Sequence, residues 1–263
     1  MQVNILYTFY KKTLGKISLS LMIVFTSFMY AQPSTKDYMR IGAELSFFSY
    51  TQFLYHQPNT KPKFTSPNHF DSFIREKTHW GNTKNEFASK TSDILLYGAF
   101  VGGIPLSTLY LKNHELLLIN LEILSINGLI TNIVKHTFKR QRPYSFYSKK
   151  NDEDSYKSFF SGHTSTAFAI GTSTAKMLTK YSNINKRTIW ISGLGLASAT
   201  GYLRMAADKH YFSDVLTGAA VGSLVGSTMF DILTKKYQKN TIHDKNIPKV
   251  SYSPNNISIF ISL

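Results

Sequence analysis

Residues 187–230 read RTIWISGLGLASATGYLRMAADKHYFSDVLTGAAVGSLVGSTMF. Two runs in this stretch, Ile189–Leu203 and Val215–Phe230, are apolar or small apart from a few hydroxyls and hold no charge up to their ends. Each is long enough for about four turns of helix. Between them lies RMAADKHYFSD, a short polar segment with bases, acids and one histidine. Gly193, Ala197 and Gly201 recur every fourth residue in the first run, and Gly218, Gly222 and Gly226 do so in the second. Small residues at that spacing form a ridge along which two backbones approach closely, in lipid or in water. The pattern predicts a tight helix pair near the C-terminus, with the charged segment at its turn.

Working outward, length and apolar periodicity predict further helices near 36–56, 86–111, 114–140 and 162–180, beside those near 187–204 and 211–236. The fold class is therefore all-α, a bundle of about six helices whose polar segments fall between helix ends. Gln57–Asn68 reads as a Pro/Asn/Lys-rich loop. Among the uncharged stretches only Ile94–Leu111 reaches the length of a span, and several carry Asn, Ser, Thr and Gly. Buried helices of a globular bundle account for them at least as well as membrane spans do. At the C-terminus, Lys249–Tyr252 and Ile257–Leu263 flank Pro254-Asn255-Asn256, the pattern of a short β-hairpin. Residues 246–263 are expected to form this hairpin or tail, after a helical domain over 32–245.

The N-terminus is expected to be separate. Residues 1–31 contain Lys11, Lys12 and Lys16 but no acid, then the apolar run Ile17–Tyr30 and a small residue, Ala31. This is the layout of a secretory signal, although Met29 is bulky for its place before the cut. The alternative is an uncleaved N-terminal anchor. Export would make the protein periplasmic or face it toward the periplasm.

Composition excludes other classes. With 43% hydrophobic and 17% charged residues the chain is not a disordered tail. The absence of cysteine excludes disulfides, thiol catalysis and thiolate metal sites. Lys and Arg number 30 against 15 Asp and Glu, a net charge of +15, which favours anionic partners.

Three polar blocks suit the same anionic ligand. The first is Lys135-His-Thr-Phe-Lys-Arg140-Gln-Arg142-Pro143-Tyr144. Lys135 and Arg142 are seven apart, which would put both on one helical face, with Pro143 ending the helix at Arg142. The second is Phe159-Phe160-Ser161-Gly162-His163. Ser161 suits an N-cap, and the amides of Gly162 and His163 at a helix start would make an anion site. The third is Arg204-x5-His210-x3-Asp214. His210 and Asp214 have i,i+4 spacing, which on a helix lets the carboxylate orient the imidazole. Bringing Arg204 onto the same ligand would need a helix break around Ala206–Lys209. Each block alone also reads as a solvated charge cluster, a capped helix with a structural histidine, or a surface His–Asp pair.

Together, K-x6-R-P, S-G-H and R-x5-H-x3-D resemble the signature of the type 2 phosphatidic acid phosphatase and vanadium haloperoxidase superfamily. The resemblance spans residues 135–214. Two positions depart from the family pattern: Phe160 stands where Pro is usual before Ser-Gly-His, and Leu203 where Ser is usual before the third-block Arg. The resemblance implies that Lys135, Arg142 and Arg204 hold phosphoryl oxygens together with the Ser161 hydroxyl and Gly162 amide. It implies that His210 attacks phosphorus, that Asp214 orients it and that His163 is the acid and base. The implied activity is a phosphatase of phosphomonoesters or pyrophosphates, acting through a phosphohistidine without metal or other cofactor. The aromatics Tyr144, Phe146, Tyr147, Phe159 and Phe160 suggest a lipid or prenyl leaving group, or else belong to the core. Lys149–Asp154 reads as a solvated loop or a substrate lid. The expected partners are a phosphorylated small molecule or lipid and a membrane surface, not nucleic acid. The alternative function is a vanadate-dependent haloperoxidase, with vanadate in the same cradle.

Overall fold

The structure is a computed structural model that describes residues 35–55, 63–64, 66–81, 83–113, 115–150, 152–245, 249–253 and 256–260. The expected signal segment 1–31 lies outside the described residues. Helices run α1 Thr35–Tyr55, α2 His69–Thr78, α3 Asn85–Val101, α4 Ser107–Leu111, α5 Glu115–Phe138, α6 Pro143–Ser148, α7 Gly162–Tyr181, α8 Lys186–Ala206 and α9 Phe212–Lys245. Strands β1 Lys249–Ser253 and β2 Asn256–Phe260 pair antiparallel, with Lys249 opposite Phe260. The all-α class is as expected. The two short helices α2 and α6 were not.

Pro105 explains the join of α3 to α4. It lacks an N–H and its ring crowds the preceding turn, so Gly102–Leu106 widens into a π turn. Thr174 Oγ1 of α7 donates to the Gly103 carbonyl there at 2.7 Å.

α7 is the central helix, and its small residues decide the packing. The sequence pattern pairs the glycine ridges of α8 and α9 with each other, whereas both ridges bear mainly on α7. A Cβ at Gly193 would stand 3.0 Å from the Gly171 carbonyl oxygen, and one at Gly201 would stand 3.2 Å from Thr164 Cγ2 of α7 and 2.9 Å from Val215 Cγ1 of α9. Cβ atoms at Gly218 and Gly226 would stand 2.7 Å from the Ser161 carbonyl and 2.6 Å from the Ala169 carbonyl. At Gly222 a Cβ would overlap the Ser165 carbonyl. The reason is that α7 (GHTSTAFAIGTSTAKMLTKY) is itself built of small residues, so it accepts a close neighbour on each side.

Ile41, Leu116, Ile119, Ile123, Phe230 and Leu233 form the main apolar cluster together with Ala169 and Met177 of α7. Beside it Arg40 of α1 forks onto Glu122 of α5 at 2.7 and 3.1 Å, and Tyr237 Oη of α9 donates to Glu122 at 2.8 Å. This buried ion pair ties α1 to α5 and α9 at the end of the bundle opposite the three blocks.

The exterior is apolar where a water-soluble bundle would be polar. Asn85–Leu111, Glu115–Phe138 and Phe212–Tyr237 are long and apolar enough to cross a membrane. One face of each packs inward and the other carries large exposed side chains, with Ile94 68%, Leu109 62%, Ile133 48% and Leu224 67% exposed. Aliphatic surface of this extent on neighbouring helices has lipid as its natural solvent. These helices form a membrane protein's exterior, the second of the two readings that the apolar runs left open.

Two glycine substitutions test the packing. Gly222→Ala forces a methyl into the Ser165 backbone and should destabilise the fold by about 1–3 kcal/mol or more. Gly195 faces open space, so Gly195→Ala should be neutral or stabilising by about 0.5–1 kcal/mol. Thermal unfolding in detergent compares them, and equal midpoints would contradict the α7–α9 contact.

Candidate active site

The ends of α5, α7, α8 and α9 meet at one end of the bundle, and the three blocks occupy that junction. In the first block Lys135 lies in the last turn of α5, buried, and its Nζ donates to the Lys157 carbonyl at 2.5 Å. The helix stops at Phe138, and Lys139 is left-handed at φ 45°. Arg142 is extended (φ −73°, ψ 153°) and caps α6, with Pro143 in the first helical position. Lys135 and Arg142 therefore do not share a helical face, which corrects the reading from their spacing. Pro143 bars the helical conformation at Arg142, and the chain has already left the helix at Lys139. The turn is held by pairing with residues 63–64: Lys63 N donates to Lys139 O at 3.2 Å and Gln141 N to Phe64 O at 2.9 Å.

In the second block Ser161 is the N-cap of α7, as expected. Its Oγ accepts from Thr164 N at 3.4 Å and from Thr164 Oγ1 at 2.8 Å. A Cβ at Gly162 would stand 3.2 Å from Thr131 Cγ2 and 3.6 Å from Lys135 Cε, so glycine lets this first turn lie against the lysine stem. His163 Nε2 donates to Asp93 Oδ1 of α3 at 2.7 Å. The same oxygen lies 3.5 Å from Arg204 Nη1.

In the third block α8 ends at Ala206 and Asp208 is left-handed at φ 58°, so the expected break falls in Ala206–Lys209. Arg204 is buried in the last turn and donates to Ser92 Oγ at 3.2 Å. His210 precedes α9, so His210 and Asp214 are not on one helical face. This too corrects the reading from spacing. His210 Nδ1 is 2.8 Å from the Ser158 carbonyl and 3.8 Å from Asp214 Oδ2. A carbonyl only accepts, so Nδ1 carries the proton and Nε2 keeps the lone pair. Asp214, in the first turn of α9, reaches back to the Tyr211 amide at 2.9 Å as a capping residue does. It also accepts from Ser158 Oγ and Arg140 Nη1, each at 2.6 Å.

Several site-building residues were not singled out from sequence. Arg140 bridges Asp214 and Asp71 of α2 (Nη2 to Oδ2, 2.7 Å), and Asp71 accepts from Ser213 N and Oγ at 2.9 and 2.6 Å. Arg75 of α2 forks onto Asp208 at 2.6 and 2.8 Å. α2 thus grips the His210 loop from both sides. Its signal was the spacing Asn68-x-x-Asp71, a capping box: Asn68 Oδ1 accepts the Asp71 amide at 2.7 Å. The backbone carbonyl of Ser158 gives no residue-type signal.

The electrostatics agree with convergence on one anion. Burial holds His210 well below the ordinary histidine value, and Arg142, Lys135, Arg204 and His163 add to the effect. Burial and Arg204 hold His163 down to about 4, against the pull of Asp93. Burial opposes Asp154, but Arg142 and Lys157 hold it down at about 2. Such a concentration of cations around two neutral imidazoles attracts an oxyanion. Among the described residues no three His, Asp or Glu side chains are grouped to hold a metal ion.

The aromatics divide. Tyr144 and Phe160 are buried, while Tyr147 is exposed. Phe159 lines a cleft of about 250 Å³ with Phe64, Phe138 and Arg140. Of the expected loop, Asp152 and Asp154 are tied to the fold: Tyr144 Oη donates to Asp152 at 2.5 Å, and Lys157 pairs with Asp154 at 3.3 Å.

A helical bundle with an anion cradle between helix ends matches known proteins. The family model of the PAP2 superfamily matches residues 116–238, the segment that carries all three blocks. A lipid A 1-phosphatase of Porphyromonas gingivalis is 37% identical over 105 residues, which are 39% of this chain and 20% of that protein. The chain thus matches about a fifth of that relative's length. A transmembrane PAP2-type phosphatidylglycerolphosphate phosphatase from Bacillus subtilis shares the fold. Its TM-score is 0.52 at 22% identity, covering 74% of this chain and 96% of that one.

Arg140 is the cation between two fully buried carboxylates. Arg140→Ala leaves Asp71 and Asp214 uncompensated and should cost about 3–5 kcal/mol of stability, with Arg140→Lys losing less. Thermal unfolding in detergent measures both, and unchanged midpoints would mean the bridge does not hold the loop.

Proposed function

We propose that this protein is a membrane phosphatase that hydrolyses lipid phosphates through a phosphohistidine. The observation that carries the reading is the convergence of buried Lys135, Arg142 and Arg204 on His210 and His163, in the segment that the PAP2 family model matches. The apolar exterior supports a lipid substrate, because a cradle at the ends of the spans lies at headgroup depth. Phosphatidate, a prenyl pyrophosphate and a lipid A phosphate have the required chemistry, and the lipid A 1-phosphatase relative favours the last. The catalytic end would face the periplasm.

In this reading the three cations, the Ser161 hydroxyl and the Gly162 amide hold the phosphoryl oxygens. A loose transition state spreads charge over these oxygens, so positioned donors supply most of the stabilisation. His210 Nε2 attacks phosphorus, forming a P–N bond as the P–O bond to the leaving group breaks. The bound phosphoryl dianion offsets the cations that, beside burial, hold His163 down in the free protein, so in the complex the ring is protonated and gives its proton to the leaving oxygen. It then takes one from water, whose oxygen attacks phosphorus and breaks the P–N bond, releasing phosphate and restoring His210. The Ser158 carbonyl holds the attacking tautomer, and the buried Asp214 carboxylate steadies the ring as it gains charge. No step calls on a metal.

The test is phosphate release in EDTA by the full chain in detergent, from phosphatidate, prenyl pyrophosphate, lipid A phosphate and soluble esters. His210→Ala should fall to background with no acid-labile phosphoenzyme, and His163→Ala should lose about 10²–10⁴-fold. Undiminished release by His210→Ala would overturn the mechanism, and bromination of a dye with vanadate and peroxide would return the haloperoxidase reading. Attack needs neutral His210. The acid limb of kcat/KM should therefore lie below the ordinary value of 6.5, with activity lost as pH falls through the lowered pKa.

A further inference from the structure

Asp93 is an acid outside the three blocks that contacts two groups of the cradle. It stands at the mouth of the Asn85–Leu111 span, followed by eighteen residues without charge. Its Oδ1 is 2.7 Å from His163 Nε2 and 3.5 Å from Arg204 Nη1. A carboxylate inside an apolar, span-length helix needs a polar reason to be there, and the partners of Asp93 are the two cradle groups themselves. Ser92, the preceding residue, is fully buried and meets Arg204 at 3.2 Å. The start of α3 is therefore fitted to the cradle rather than merely passing it.

We propose that Asp93 is a positioning residue that makes His163 the acid and base of the reaction, a second Asp–His pair opposite the His210 nucleophile. The proposal rests on the phosphatase reading above. Asp93 accepts the Nε2 proton, so Nδ1 is the nitrogen through which His163 exchanges its proton with the leaving oxygen and then with water. The carboxylate also supplies the negative charge that makes the imidazolium tolerable among cations. The charged and titratable groups that act on His163 are Arg204 of α8, Arg142 before α6, His210 before α9 and Asp93 of α3. Only Asp93 in this set favours the protonated ring. Through Arg204 the same oxygen also fixes the distance between the acid and the phosphoryl group it serves.

The experiment compares wild type with Asp93→Asn, which keeps the shape and an acceptor oxygen but removes the charge. Two substrates are used: phosphatidate, whose leaving alkoxide must be protonated, and p-nitrophenyl phosphate, whose phenoxide leaves unprotonated. Phosphatidate turnover should fall by about 10²-fold or more, and p-nitrophenyl phosphate turnover by less than about 10-fold. The alkaline limb for phosphatidate should move to lower pH, because His163 then loses its proton more easily. Inhibition by orthophosphate should stay within about 3-fold if the cradle is intact. Equal losses on both substrates would overturn the proposal, as would an unmoved alkaline limb. If wild type released no phosphate at all, the phosphatase reading would fail by itself. NMR titration of His163 in the two proteins would still decide the pair: a lower pKa in Asp93→Asn supports it, and identical curves overturn it.

Discussion

The structure depends on how closely helices can approach α7. Gly171 meets Gly193 of α8 backbone to backbone, and the ridge Gly218, Gly222 and Gly226 of α9 lies on the carbonyls of Ser161, Ser165 and Ala169. These contacts leave no room for a β-carbon, so they set the axial register of α8 and α9 against α7 to a fraction of a turn. That register carries the end of α8, with Arg204, and the start of α9, with Asp214, to the first turn of α7, where Ser161, Gly162 and His163 stand. A wider spacing between axes would part the cations from the histidines without breaking any hydrogen bond of the site itself.

The cradle gathers like charge, and its second layer makes this tolerable. Lys135, Arg142 and Arg204 are buried near one another, a costly arrangement unless anions stand nearby. Asp93 meets Arg204, Asp214 and Asp71 share Arg140, and Asp208 takes Arg75. The carboxylates stand behind the donors rather than inside the cradle, so its interior keeps a positive potential for the ligand. The short helix α2, between α1 and α3, contributes two of these charges. It works as a brace on the His210 loop rather than as a connector.

The apolar exterior and the polar junction belong together. The spans α3–α4, α5 and α9 end at the level of the three blocks, so lipid packed around them brings phosphate headgroups to the height of the cradle. The buried Arg40–Glu122–Tyr237 tie at the other end secures α1 where the bundle would otherwise rely on packing alone.

Helices near 86–111, 162–180, 187–204 and 211–236 could be read from the sequence because long apolar runs and small-residue ridges are local properties of the chain. The chemistry of the three blocks was legible for the same reason: Ser161 caps α7 and the chain breaks after Ala206 through interactions a few residues apart. What the sequence could not determine is which surfaces the ridges meet. Both turn to α7, because only there do two small faces coincide on one helix. Nor did spacing decide the geometry of the two pairs read as helical neighbours. Arg142 leaves the helix of Lys135 through a left-handed Lys139, and His210 lies outside α9 with its proton on the Ser158 carbonyl. Asp71, Arg75 and Asp93 became part of the site only through folding, since their partners lie about 70 to 142 residues away in the chain. Contacts at that separation are set by packing and buried charge, which leave no periodic trace in a single sequence.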